Sequence, residues 1–160
     1  MTGGRAVWVV RHAEREDNIN EDWRKLPSAR VLTFANSMLS KRGREQAKEC
    51  AARFRDVNIT NVFASPFDRT IEAASIIVAD KKLLIKPEPG LCDLLFYSDG
   101  TPGFWVSEKL KEKYPLDDTK YVPVFTKEFI LHSSGNETTA LFEPILKMGD
   151  LAFFAALTDA

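Results

Sequence analysis

The stretch AVWVVRHAER, residues 6–15, decides how the rest of the chain is interpreted. Five apolar residues, three of them valines, lead directly into Arg11 and His12, and Arg15 follows three residues later. A short, continuous apolar run is typical of a strand buried on both faces, as in a parallel sheet. Because ligands of open α/β sheets bind beyond the carboxyl ends of the strands, the sequence predicts that these polar side chains lie at a ligand-binding edge.

Helical and strand patterns alternate downstream. Residues 39–56 predict a helix with Ser40 as its N-cap, since apolar residues recur on one face at helical spacing. Short strands are predicted at residues 61–64 and within residues 82–90, and a further helix within residues 104–115. This order predicts an α/β fold with a mostly parallel sheet and helices on both faces.

A second helix is predicted within residues 65–80, with Ser65 as its cap and Pro66 at its first position. Arg69 lies one helical turn beyond Ser65, which directs it back toward the end of the preceding strand. The buried face of this helix is predicted to comprise Phe67, Ile71, Ala74 and Val78.

Two segments show no clear periodicity of apolar residues. Residues 17–38 predict a long loop, which in a compact domain is usually functional or mobile. The segment LAFFAAL, residues 151–157, is apolar without alternation and is compatible with either a helix or a strand. The 160 residues are predicted to form one domain.

Composition excludes some classes of partner. The chain is 44% hydrophobic with a net charge of −1, so no overall field attracts nucleic acid or an anionic membrane. The first apolar run is too short for a signal peptide or a membrane span. Cys50 and Cys92 show no disulfide or metal pattern, and we predict reduced thiols and a cytoplasmic location.

The polar residues at the predicted edge match the chemistry of phosphate transfer. The guanidinium groups of Arg11, Arg15 and Arg69 can bind phosphate oxygens in bidentate fashion. The imidazole of His12, with an ordinary pKa of about 6.5, can be neutral and nucleophilic near neutral pH. Taken alone, each motif is also compatible with exposed surface charges.

The segment EPGLCD, residues 88–93, supplies carboxyl groups near the same edge. Glu88 or Asp93 could act as the general acid for a leaving alkoxide, because each follows a predicted strand. By itself, a Pro-Gly turn with an acid nearby is more often only a turn.

Together, VVRHAER, LSKRGREQA, SPFDRTIEAA and EPGLCD resemble the histidine phosphatase superfamily, also called phosphoglycerate mutase-like. Within it, RHAERED with Trp23, the EPGL turn and DDTKYVPV are most similar to two groups. These are the phosphatase domains of the T-cell ubiquitin-ligand and suppressor of T-cell receptor signalling proteins, and ecdysteroid-phosphate phosphatase. The resemblance implies a three-layer fold and a phosphomonoester hydrolase that acts on a phosphorylated small molecule or phosphoprotein, such as a phosphotyrosine or steroid phosphate.

The resemblance also implies roles for residues. His12 would attack phosphorus and become phosphohistidine, while Arg11, Arg15 and Arg69 would bind the phosphoryl oxygens. Asp93 lies where close relatives carry a proton-donating Glu, and it is one methylene shorter, so Glu88 is the alternative donor. The resemblance implies neither a metal nor a cofactor. It leaves open whether the protein forms a homodimer.

The family has a second active-site histidine after a late strand, and His132 is the only candidate. Either residues 129–131 form that strand, or the chain departs from the family there and residues 129–160 are a divergent or truncated tail. The second interpretation is favoured. It predicts a fold incomplete at the C-terminus, with apolar surface and unpaired backbone groups exposed beside residues 6–10. The function would then be an impaired phosphate-binding remnant; phosphoglycerate mutase-type phosphotransfer is a lower alternative.

Overall fold

The structure is a computed structural model that describes residues 5–33, 36–92, 106–126 and 153–159. Strands and helices alternate along the first three of these ranges, as the sequence predicts. In chain order the elements are β1 (Arg5–Arg11), α1 (Lys41–Arg53), β2 (Ile59–Ala64), α2 (Asp68–Ile77), β3 (Ile85–Pro87), α3 (Ser107–Lys113) and β4 (Phe153–Asp159).

The strands form one sheet in the order β1-β4-β2-β3. β2 and β3 are parallel, and β4 is antiparallel to both of its neighbours, β1 and β2. Consequently β1, β2 and β3 run in the same direction and end at the same edge of the sheet. The predicted α/β fold class, with mostly parallel strands, is confirmed.

β4 corrects one expectation about the C-terminal segment. Ala156 pairs with Trp8 on one side and with Val62 on the other, so the backbone on this side of β1 is paired along its length. The prediction of unpaired backbone groups beside residues 6–10 is therefore wrong for the side that β4 covers, while the other side of β1 has no strand partner among the described residues. The predicted apolar exposure is present, since Val7 and Val9 are 61% and 62% exposed, and the expectation that this strand is buried on both faces is wrong.

The core lies where the helices pack on the sheet. Phe54 of the α1 terminus meets the ring of Trp8 edge-on, with 5.4 Å between ring centroids. The predicted face of α2 is buried, as are the charged side chains of Asp68 and Arg69 on its first turn. One continuous apolar cluster includes Leu39, Ala47, Phe54, Val62, Ile71, Ala74, Ile77, Val78, Ile85 and Leu110.

The start of α1 is confirmed and the start of α2 is corrected. The hydroxyl of Ser40 accepts a hydrogen bond from the N–H of Gly43 at 2.9 Å, as expected of an N-cap. α2 begins at Asp68 with Phe67 as its N-cap, so the roles predicted for Ser65 and Pro66 are wrong. The Ser65 hydroxyl instead lies 3.5 Å from the Cys92 sulfur.

The predicted loop at residues 17–38 contains short 3-10 turns rather than a regular helix. Three such turns span Glu16–Asn18, Trp23–Lys25 and Pro27–Ala29. They enclose a small apolar cluster of their own, formed by Trp23, Ala29, Leu32 and Met38. Neither cysteine forms a disulfide. Within the described ranges, no helix has the length and apolarity to cross a bilayer.

Candidate active site

His12 follows the last residue of β1 and is only 8% exposed. Its Nδ1 lies 2.7 Å from the carbonyl oxygen of Ala13. Because a carbonyl can only accept, Nδ1 carries the proton in the neutral ring and Nε2 carries the lone pair. Nε2 is buried and has no hydrogen-bond partner within the part of the chain described. Nε2 is therefore the ring nitrogen that is available to act as a nucleophile.

The three arginines that the sequence predicts for the site all affect the pKa of the His12 imidazole. The pKa of His12 is lowered to about 4, chiefly by burial; the hydrogen bond to Ala13 raises it, and the positive charges of Arg69, Arg15 and Arg11 lower it. The structure therefore brings Arg69, which is distant in the sequence, into the electrostatic environment of His12, together with its sequence neighbours Arg15 and Arg11, of which Arg11 is exposed. Such a cluster of cations around a neutral base favours an anion.

Arg69 is held on the first turn of α2. It is 1% exposed, and its guanidinium carbon lies 4.3 Å from the centroid of the Phe67 ring. The neighbouring carboxylate of Asp68 is fully buried and accepts hydrogen bonds at 2.8 and 2.7 Å from Lys113 of α3. This pairing compensates the burial of Asp68 and fixes the turn that carries Arg69.

Arg15 is oriented by a residue that sequence reasoning missed. Its Nε donates to Asp17 at 2.9 Å, and its Nη2 donates to the second oxygen of the same carboxylate. Burial alone would raise the pKa of Asp17, but hydrogen bonds from Arg15 and Ser37 hold it below its ordinary value. The only sequence signal was the Arg-x-Asp spacing, which is too common to single out.

The motif LSKRGREQA also has a role that the sequence did not reveal. The N–H and hydroxyl of Ser40 donate to the backbone oxygen and the carboxylate of Glu14, at 3.0 and 2.6 Å. Gln46 accepts from the N–H of Glu14 at 2.9 Å. A Cβ on Gly43 would lie 2.2 Å from the Glu14 carbonyl oxygen, so only glycine allows this approach. The start of α1 therefore holds the loop between His12 and Arg15.

Glu88 is fully engaged in hydrogen bonds. One carboxylate oxygen accepts from the N–H groups of Gly90 and Phe125, at 3.0 and 3.1 Å. The other accepts from the Tyr121 hydroxyl at 2.7 Å and the Val124 N–H at 2.8 Å. A proton on either oxygen would displace one of these donors, so Glu88 is suited to anchoring the loop at residues 121–125.

The remaining predicted residues lie outside the described ranges. Asp93, the predicted proton donor, and His132, the candidate second histidine, both belong to segments that the structure does not describe. Since the oxygens of Glu88 already accept four hydrogen bonds, Asp93 remains the better prediction for the acid. Across the described residues, no group of three or more His, Cys, Asp or Glu side chains could hold a metal ion.

These features define an α/β protein with arginines around a buried histidine at the carboxyl edge of its sheet. The family model of the histidine phosphatase superfamily (branch 1) matches residues 7–99, more than half of the chain, and the chain belongs to this superfamily. The match includes RHAER, LSKRGREQA and SPFDRT, the motifs that form the site.

Two curated relatives and one solved structure are similar to the chain. Phosphoserine phosphatase 1 of Hydrogenobacter thermophilus is 30% identical over 117 residues, covering 71% of this chain and 49% of the relative. Human Ubiquitin-associated and SH3 domain-containing protein A is 31% identical over 152 residues, covering 76% of this chain and 23% of the human protein. The crystal structure of ecdysone phosphate phosphatase from Bombix mori, in complex with tungstate, has a TM-score of 0.63 at 20% identity. It covers 91% of this chain and 70% of that one.

The sequence identities and the shares of each chain that are aligned decide how much can be concluded from these similarities. At 20% identity, the solved structure establishes the fold alone. The chain spans about half the length of the bacterial relative and about a quarter of the human one. Predicted membership of the superfamily and the expected likeness to ecdysteroid-phosphate phosphatase are confirmed.

Proposed function

We propose that this protein is a phosphomonoester hydrolase that works through a phosphohistidine on His12. The observation that carries the proposal is the buried Nε2 of His12, which has no hydrogen-bond partner in the described chain and feels the positive charges of Arg69, Arg15 and Arg11. An incoming phosphate would neutralise those charges and place its phosphorus before the lone pair of Nε2. Preorganised cations of this kind stabilise the charge that develops on the phosphoryl oxygens.

The reaction has two steps. The lone pair of Nε2 attacks phosphorus and the bond to the leaving oxygen breaks, while Asp93 donates a proton to that oxygen. Water then attacks the phosphohistidine, its proton returns to Asp93, and inorganic phosphate leaves with Nε2 restored. Because burial and the arginines lower the pKa of His12 to about 4, the ring is neutral and ready to attack at neutral pH.

The substrate class follows from the site and from the names of the relatives. We infer a phosphorylated small molecule or phosphoprotein, since the arginines recognise only the phosphoryl group. The relatives are named for phosphoserine and ecdysone phosphate, which are both phosphomonoesters of an alcohol. No cofactor enters the proposed steps, and a cytoplasmic location remains part of the proposal.

Hydrolysis of p-nitrophenyl phosphate by the wild type and His12→Ala tests the proposal. We expect turnover in the wild type, an acid-labile phosphoprotein intermediate on rapid quenching with labelled substrate, and loss of both in His12→Ala. Full activity in His12→Ala would reject the mechanism. Tungstate or vanadate raising the melting temperature without any turnover would instead indicate the phosphate-binding remnant.

A second pair of variants tests the role of the arginines. Arg69→Ala should lower kcat/KM about 100- to 1,000-fold, as for removal of a group that stabilises transition-state charge. Arg53→Ala is the matched control, because Arg53 is exposed at the end of α1 and should change the rate less than about twofold. Equal rates for the two variants would remove Arg69 from the site. Exchange of phosphate between the hydroxyls of phosphoglycerate, without net release, would indicate a mutase.

A further inference from the structure

Two hydrogen bonds connect α1 to the imidazole of His12 through one peptide group. Gln46 Oε1 accepts from the N–H of Glu14 at 2.9 Å. The carbonyl of Ala13, at the other end of the same peptide group, lies 2.7 Å from Nδ1 of His12. A trans peptide group is planar, and its N–H and C=O point in opposite directions. The direction of the Glu14 N–H therefore fixes the direction of the Ala13 carbonyl.

The other hydrogen bonds of Glu14 do not involve this peptide group. Ser40 binds the carboxylate and the backbone oxygen of Glu14, and Gly43 packs against that same oxygen. These contacts hold the following peptide group, between Glu14 and Arg15. Among the described residues, Gln46 supplies the hydrogen bond to the Glu14 N–H, so its amide sets the tilt of the group between Ala13 and Glu14.

The tilt matters because it selects the tautomer of His12. A carbonyl facing Nδ1 requires a proton on Nδ1, since the other tautomer would bring two lone pairs together at 2.7 Å. A peptide N–H that donates to an acceptor also polarises its own carbonyl and strengthens it as an acceptor. Both effects keep the proton on Nδ1 and the lone pair on Nε2, the nitrogen that is buried without a hydrogen-bond partner among the described residues.

We infer that Gln46 is a positioning residue for the nucleophile: acting through the peptide group between Ala13 and Glu14, it holds His12 in the tautomer with a free Nε2 lone pair. The inference rests on the proposed function for its catalytic consequence. Its structural content, the link between Gln46 and the His12 tautomer, is independent of turnover. This role explains the glutamine in the motif LSKRGREQA by its chemistry rather than by packing alone.

Nitrogen NMR of protein with ¹⁵N-labelled histidine tests the link directly. At about pH 7.5, where a neutral ring is expected, wild-type His12 should show a protonated Nδ1 and an unprotonated Nε2. His12→Asn assigns the signals, because the chain contains one other histidine. In Gln46→Met, which keeps the length of the side chain but has no acceptor oxygen, the two shifts should move toward each other as both tautomers become populated.

Turnover gives the second measurement. Gln46→Met should lower kcat about 10-fold or more, as outer partners of functional histidines do, with a much smaller change in KM. Lys48→Met places the same new side chain at an exposed position of α1 and should leave both quantities and the His12 signals unchanged. Gln46→Glu keeps an acceptor oxygen at the same reach and should restore the wild-type tautomer.

Gln46→Asn keeps the proposal testable if Gln46→Met does not fold. Its amide is one methylene shorter and should lose the hydrogen bond to Glu14, so the same shift of the two nitrogen signals is expected. Wild-type nitrogen shifts in a folded Gln46→Met or Gln46→Asn would overturn the inference. A wild type with the predicted tautomer but no phosphatase activity would count against the proposed function alone.

Discussion

The side-chain oxygen of Asn36 accepts a hydrogen bond from the backbone N–H of Asp68 at 2.8 Å. Both residues are buried, and 32 positions separate them in the chain. The bond joins the loop that precedes α1 to the first residue of α2, next to Arg69. Because the same loop pairs with the segment after His12, through the bond from the Glu16 N–H to the Met38 carbonyl, it connects the two halves of the site.

Asn36→Ala should therefore weaken both the fold and the site. It leaves the N–H of Asp68 buried without its acceptor, which lowers the free energy of unfolding by about 1–3 kcal/mol. Arg69 loses its alignment, so we expect weaker protection by tungstate in a thermal unfolding assay. Asn58→Ala, at an exposed position, should change stability by less than about 0.5 kcal/mol. Equal stability of the two variants would contradict this prediction.

The same bond explains why the start of α2 was predicted wrongly. With Ser65 as N-cap, the Ser65 hydroxyl would have accepted from the N–H of Asp68, three positions on. In the structure that N–H is taken by Asn36, so the helix begins later. Local signals found the helix and its buried face. They could not show an acceptor that arrives from 32 residues away.

The sheet shows the same division between local and long-range information. The apolar run of β1 identified a strand because its length and composition suffice locally. The segment LAFFAAL has no period, so its place between β1 and β2 is decided by pairing with strands that are distant in the chain. For the site, residue types predicted the convergence of His12 with the arginines, whereas Asp17 and Gln46 act through geometry that no spacing reveals.

Glu88→Gln tests whether this carboxylate anchors the loop at residues 121–125. The amide NH₂ of Gln cannot accept the donors that now bind one carboxylate oxygen, so we expect a loss of about 1–3 kcal/mol in unfolding free energy. Urea denaturation measures the loss. Glu21→Gln, at an exposed position, should have almost no effect. Unchanged stability in Glu88→Gln would show that the carboxylate does not hold the loop.

Ala156→Pro tests the place of β4 in the sheet. Ala156 pairs with both Trp8 and Val62, and proline in a central strand removes a backbone hydrogen bond and disturbs the ladder. We expect a loss of unfolding free energy that clearly exceeds that of Ala156→Gly, measured by chemical denaturation. Ala156→Gly keeps the N–H and should lose about 1 kcal/mol. If the proline variant is as stable as the glycine variant, residues 153–159 do not occupy the centre of the sheet.

The low pKa of His12 predicts how stability depends on pH. Burial, and then the arginine charges, lower the pKa to about 4 from the ordinary 6.5, so the unfolded chain binds a proton at a higher pH than the native chain. The free energy of unfolding must therefore fall as pH decreases from about 6.5 to about 4, and His12 accounts for about 3 kcal/mol of this fall.

His12→Gln lacks the titrating ring but keeps a polar side chain. The difference in unfolding free energy between the wild type and His12→Gln should be constant above about pH 7 and should shift against the wild type below it. Parallel curves for the two proteins down to about pH 4 would show that His12 titrates as an exposed histidine does.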